Sequence, residues 1–105
     1  MRQYLLVLTT MNSKEGARKL GQRLVESSLA GCVQIVGPIL STYRWQKKLQ
    51  TAQEWLCVVK TREELYGKVE EAIGEMHPYE VPEIVALPIK KGSKSYLSWL
   101  DEAVS

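Results

Sequence analysis

Apolar residues run almost without interruption from Tyr4 to Thr10, the pattern of a strand covered on both faces. Asn12 followed by Glu15 predicts a capping box opening a helix. Ala17, Leu20, Leu24, Val25 and Ser28 then share one face of that helix, with Lys14, Arg18, Gln22 and Glu26 opposite. Gly31 is expected to close it with a left-handed turn. A second strand begins at Cys32, is interrupted at Gly37-Pro38 and continues from Ile39 to about Gln46, so a bulge or bend is expected at the interruption. A tight turn near Lys47-Lys48 leads to a third strand, roughly Gln53 to Lys60. Thr61 and Glu64 predict a second capping box, and Leu65, Val69, Ala72, Ile73 and Met76 form the apolar face of the second helix. Glu83–Ile89 reads as the fourth strand, with Pro88 marking an edge. Ser93 or Ser95 opens a last helix whose Tyr96, Leu97, Leu100, Ala103 and Val104 face inward.

The order is β-α-β-β-α-β plus a C-terminal helix. With right-handed crossovers it predicts an α+β, ferredoxin-like sandwich in a single domain spanning residues 1–105. One element is too long for that frame. About 14 residues from Cys32 onwards, at ~3.3 Å each, span about 46 Å, whereas a globule of this size is roughly 33 Å across. The hairpin is expected to overshoot the core, carrying Tyr43, Trp45, Leu49 and Trp55 at its end. That much apolar surface and unpaired strand edge predicts an oligomer, with Tyr43, Trp45 and Trp55 at the interface.

Composition narrows the function. Hydrophobic residues are 45% and charged residues 25%, an ordinary globular mixture. The net charge of +2, from 14 basic and 12 acidic residues spread along the chain, lacks the clustering a phosphate-binding surface needs, so nucleic acid is not expected as a partner. No apolar run approaches the ~20 residues of a membrane span, and the start of the chain reads as a strand rather than a secretion signal. Cys32 and Cys57 are expected as free thiols. A turn at 47–48 would set residue 57 opposite about residue 38, roughly 20 Å along the strand from Cys32.

The densest chemistry lies in His77-Pro78-Tyr79-Glu80-Val81-Pro82-Glu83-Ile84, which holds the only histidine and two of the four prolines. Each proline fixes its own φ and pushes the preceding residue out of the α region, so this loop is stiff where it presents His, Tyr and Glu. His77 is a candidate metal ligand, proton shuttle or helix-end cap. Glu80 and Glu83 could add oxygen ligands or pair with Lys60 or Arg62. Trp45, Lys60, Tyr79 and Glu80 could instead line a small-ligand cleft between subunits. No oriented nucleophile or acid/base pair is visible, so an enzyme is not expected. Acylphosphatases share the topology, but their glycine-rich anion loop with its arginine is not visible after strand one. RNA-recognition domains share it too, yet the first strand offers only Tyr4 for base stacking and the chain has no Phe.

Gly31-Cys32-Val33-Gln34-Ile35-Val36, Tyr43-Arg44-Trp45, and Lys60-Thr61-Arg62 leading to the proline loop together resemble the CutA family of divalent-cation tolerance proteins. Tyr96-Leu97-Ser98-Trp99-Leu100 is similar as well, so the resemblance covers nearly the whole chain. It implies a ferredoxin-like fold, a PII-like homotrimer whose long hairpins pair between subunits, a cytoplasmic location, and a role in tolerance of copper or another divalent cation. Best-known bacterial members have a cysteine where this chain has Thr9 and a further histidine where it has Met76, so His77 alone of those three positions is kept. A small-molecule sensor or signalling trimer of PII-like build is the alternative role.

Overall fold

Alternation along the first strand decides which side of the sheet is covered. In the computed structural model, which describes residues 3–105, β1 (Tyr4–Met11) buries Leu5, Val7, Thr9 and Met11 on one face, while Tyr4, Leu6 and Leu8 on the other are only half-buried. Helix α1 (Lys14–Glu26) follows, then β2 (Cys32–Trp45) and β3 (Lys48–Arg62). A 3₁₀ turn at Glu63–Leu65 leads into α2 (Tyr66–Met76), then β4 (Val85–Ile89) and α3 (Lys94–Ala103). The strands form one antiparallel sheet in the order β2-β3-β1-β4, the expected ferredoxin-like arrangement. Leu20 and Leu24 of α1 and Val69 and Ile73 of α2 close over Val7, Cys57 and Val59 as the core.

The helix termini differ in detail from their predicted form. Ser13, not Asn12, caps α1, its Oγ accepting from Gly16 N–H at 2.9 Å. The left-handed residue after α1 is Ser28, with φ 58°, and the N–H groups of Leu29 and Ala30 both reach the Leu24 carbonyl. No described glycine has positive φ, and Gly31 serves close packing instead, the Leu100 side chain of α3 lying where its Cβ would stand. Thr61 does not cap α2 either. Its hydroxyl donates to the Leu29 carbonyl at 2.6 Å, while Glu64 pairs with Arg62 at 3.3 Å. At α3, Leu100 and Val104 are buried as expected, but Tyr96 lies on the surface with Trp99. Asp101 fastens the helix to the sheet through Tyr4 Oη (2.9 Å) and the buried Arg62 (3.5 Å).

The hairpin is as long as expected and more continuous. β3 starts at Lys48 rather than Gln53, and the turn lies at Gln46-Lys47, both left-handed. The molecule extends 44 × 25 × 23 Å. Partner numbering shifts by one residue between Val36↔Leu56 and Ile39↔Glu54, a bulge at the cis Gly37-Pro38 peptide. The Trp55 ring packs directly on Gly37, where a Cβ would stand. The turn position and the bulge together move the partner of Cys57 from about residue 38 to Ile35. Cys57 lies three residues from Cys32 in register, about 10 Å, and on the opposite face of the sheet, so no bridge can form and both are free thiols.

Two outcomes follow from this packing. Gly37→Ala forces the Trp55 ring aside and lowers unfolding free energy by about 1–3 kcal/mol in urea; adding Trp55→Ala gives a combined loss smaller than the sum of the two. Burial pushes the Cys57 thiol up to about 11 from an ordinary 9.0. Between those values the unfolded chain ionises while the folded chain holds its proton. The thiol's contribution is therefore complete below pH 9 and declines up to about pH 11, by about 1.4 kcal/mol per pH unit. Denaturation midpoints across that window should fall less steeply for Cys57→Ala than for the wild type.

Candidate functional site

The proline loop starts where α2 is made to stop. Pro78 excludes its predecessor from the helical region, and His77 is extended, at φ −80° and ψ 133°. Its ring is held from both sides. Nδ1 accepts from the Tyr79 N–H at 3.2 Å, so Nε2 carries the hydrogen and donates to the Thr10 carbonyl of β1 at 2.6 Å. The His77 and Tyr79 rings lie 4.8 Å apart, tilted by 54°. The loop is thereby pinned to the end of β1.

Tyr79 makes the second attachment. Its hydroxyl donates to Glu54 Oε2 of β3 at 2.6 Å. Glu54 is 4% exposed, and Tyr79 is its one hydrogen-bond partner among the described residues. Burial, and after it the neighbouring carboxylate, holds the phenol well above its ordinary range, so Tyr79 stays a donor throughout physiological pH.

Between this loop and the hairpin arm lies a cavity of about 780 Å³. Thr10 and Glu54 form its floor, Ser41, Thr42, Tyr43 and Trp45 its arm side, and residues Pro78 to Glu83 its loop side. The bulge decides that arrangement. Before it, the even-numbered residues of β2 share a face with Leu56 and Val58; beyond it, Ile39, Ser41, Tyr43 and Trp45 take over that face and join Glu54.

The structure thus brings Trp45, Tyr79, Glu80 and Glu83 together with Tyr43 around one cavity. It leaves Lys60 out: six residues from Glu54 along β3, roughly 20 Å away, its Nζ sits 5.5 Å from the Tyr96 ring centroid. Trp55 packs against the core beside Gly37 rather than standing free at the hairpin tip. Met76 also packs on the core, and Thr9 is fully buried on the helix-covered face with no partner for its Oγ1 among the described residues. His77 does not line the cavity and has no ring nitrogen to spare. Among the described residues no three His, Cys, Asp or Glu side chains converge on a point that could hold a metal, so copper finds no preformed closed site in one chain. Glu54, Ser41 and Thr42 were missed by the sequence reading. The signal was a lone carboxylate among the apolar and amide residues of the third strand, to which no role is assigned from the sequence.

Residues 5–103 match the family model described as CutA1 divalent ion tolerance protein. The chain belongs to this CutA family. A divalent-cation tolerance protein CutA from Thermus thermophilus is 48% identical over 92% of this chain and 94% of its own length. The namesake from Archaeoglobus fulgidus is 41% identical over 93% and 95%. Among solved structures, the Thermus thermophilus Cut A1 protein superposes with a TM-score of 0.94 at 46% identity, covering 97% of this chain and 99% of that one. CutA1 from Oryza sativa gives 0.95 at 40%, covering 98% and 94%. The chain spans about half (53%) of the chloroplastic CutA of Arabidopsis thaliana, and the Archaeoglobus fulgidus structure is described as periplasmic. The Thermus thermophilus and Archaeoglobus fulgidus relatives are named for cation tolerance rather than for a reaction. No helix among the described residues is long and apolar enough to cross a membrane.

His77→Ala removes both hydrogen bonds of the ring and leaves the Tyr79–Glu54 attachment in place. It should lower unfolding free energy by about 1–3 kcal/mol and speed amide exchange at Tyr79. Unchanged exchange there would show that the loop is held by other means.

Proposed function

We propose that this chain serves tolerance of divalent cations, copper among them, as a cytoplasmic homotrimer without enzymatic activity. Membership of the CutA family carries the tolerance role. The assembly rests on the helix-free face of the sheet, where Val36, Val85 and Leu87 are exposed beside the half-buried Leu6, Leu8, Leu56 and Val58. Such a face, continuous with an arm that exposes Leu40, Leu49, Tyr43 and Trp45, is what a further copy of the chain would cover. The arm tips would then pair between subunits, with Trp55 joining from behind. Two free thiols fit a reducing compartment.

In this reading a divalent ion meets the carboxylates of Glu80 and Glu83 at the loop side of the cavity. His77 becomes a third ligand only by releasing the Thr10 carbonyl. Imidazole and carboxylate together suit copper, although binding to so open a set would be weak and exchangeable. One observation favours a second reading, a small-molecule sensor: a cavity of about 780 Å³ is far larger than an ion needs and falls within the range of organic-ligand pockets.

Native mass spectrometry at micromolar concentration should give about three times 11.9 kDa, and Leu87→Asp should release smaller species, because an unpaired carboxylate buried in an interface costs several kcal/mol. A folded wild-type monomer would overturn the trimer. Calorimetric titration with Cu(II) above pH 6.5, the ordinary histidine value, should show weaker binding in Glu80→Gln with Glu83→Gln. Weaker binding in His77→Ala as well would place the ring on the ion, whereas wild-type affinity in both would remove copper from this loop.

A further inference from the structure

We propose that the cavity between the hairpin arm and the proline loop binds a small organic ammonium ion, a protonated or alkylated amine carrying an apolar body. This inference rests on the small-ligand reading of the same cavity. With Lys60 outside it, this chain's share of the lining contains Glu54, Glu80 and Glu83, the aromatic rings of Tyr43 and Trp45, and, among the described residues, no Lys, Arg or His.

Glu54 sets the sign of the charge. It is 4% exposed, one of its oxygens accepts from Tyr79, and among the described residues the other has no hydrogen-bond partner and no ion pair reaches it. That second oxygen is not shut off from solvent, so a ligand in the cavity can reach it. Tyr79 engages one oxygen with a neutral donor and leaves the other as an acceptor for a cation. An anionic ligand would meet three carboxylates without a counter-ion, and a neutral one would leave Glu54 as it is.

The walls and the volume set the shape. Tyr43 and Trp45 are the arm's contribution to the same cavity, and aromatic faces attract cations most strongly when the cation has shed part of its water, as alkylammonium ions readily do. A bare metal ion uses little of about 780 Å³, whereas a ligand with an apolar body fills that space and covers both rings. Ser41 and Thr42 of the arm and Thr10 of β1 supply further oxygen acceptors for N–H groups.

The test uses the assembled wild-type protein and three probes of similar size in calorimetric titration at low salt: benzyltrimethylammonium, benzylsulfonate and benzyl alcohol. The ammonium probe should bind and the sulfonate should not, with the alcohol weaker than the ammonium. Glu54→Gln keeps an acceptor for Tyr79 while removing the charge, and should weaken the ammonium probe by about tenfold or more. Should that variant fail to fold, Glu80→Gln with Glu83→Gln and, separately, Trp45→Leu should each weaken the same probe several-fold. Sulfonate or alcohol binding as tightly as the ammonium would overturn the assigned charge while leaving a small-ligand cavity in place. Absence of binding by all three up to about 10 mM, far weaker than a functional site, would remove both this inference and the small-ligand reading.

Discussion

The register of one two-stranded ladder governs the rest of this molecule. β2 and β3 run side by side from Cys32↔Lys60 to Trp45↔Lys48, and a single extra residue at Gly37-Pro38 divides the ladder into a core half and an arm half. Because side chains alternate with period two, that one residue exchanges the faces of everything beyond it on β2. The Trp55 ring fills the space that Gly37 leaves open, so glycine and tryptophan hold the bulge in place from opposite strands. Without the insertion, Tyr43 and Trp45 would point away from Glu54, and the arm would carry Leu40, Thr42 and Arg44 over the proline loop instead.

The proline loop is then fastened near its start to two different strands. His77 binds the end of β1 and Tyr79 binds β3, so the loop reads the relative position of the two strands through two short hydrogen bonds. Both side chains named for chemistry in the sequence are thereby engaged in geometry. The residues left to face a ligand are the ones with unengaged oxygens, Glu80 and Glu83 on the rim and one carboxylate oxygen of Glu54 on the floor. The electrostatic character of the cavity comes from which charges the fold admits. Three carboxylates are inside, and Lys60 is carried to the other end of β3, over Tyr96.

Much of the fold was legible from periodicity, because the core positions of β1, α1 and α2 follow strict two- and four-residue spacings that admit one arrangement. The hairpin's excess length was legible as well, from residue count against globule size. Local chemistry read less well. Ser13 outcompeted Asn12 as a cap, and Ser28 took the left-handed position assigned to Gly31, since Gly31 is required for the close approach of Leu100. The site was half legible. The loop announced itself by composition, but Glu54 stayed hidden, since finding it required the ladder register. A turn placed one residue too late displaces every cross-strand partner by two residues, and the uncounted bulge displaces those of the core half by one more. The capping role of His77 stood open beside the metal role in the sequence, and only the positions of Thr10 and the Tyr79 amide set out how the ring is held.

The sheet's two edges carry unequal demands, and this ties assembly to the cavity. β4 is five residues long and contains Pro88, which removes a donor from that edge, so the strand offers little to an intruding chain. β2 is fourteen residues long, and beyond the bulge its only strand partner among the described residues is β3. An isolated two-stranded ribbon is marginal in water. Within one chain the arm gains support from the buried Glu54–Tyr79 bond at its base and the Trp55–Gly37 packing beside it. Its exposed Leu40, Leu49, Tyr43 and Trp45 offer the remaining support to whatever covers them. Tyr43 and Trp45 belong to both the arm's exposed surface and the cavity wall, so covering the arm and filling the cavity act on the same two rings. Any ligand that orders them also orders the surface available for assembly, and linkage requires the reverse to hold with equal magnitude.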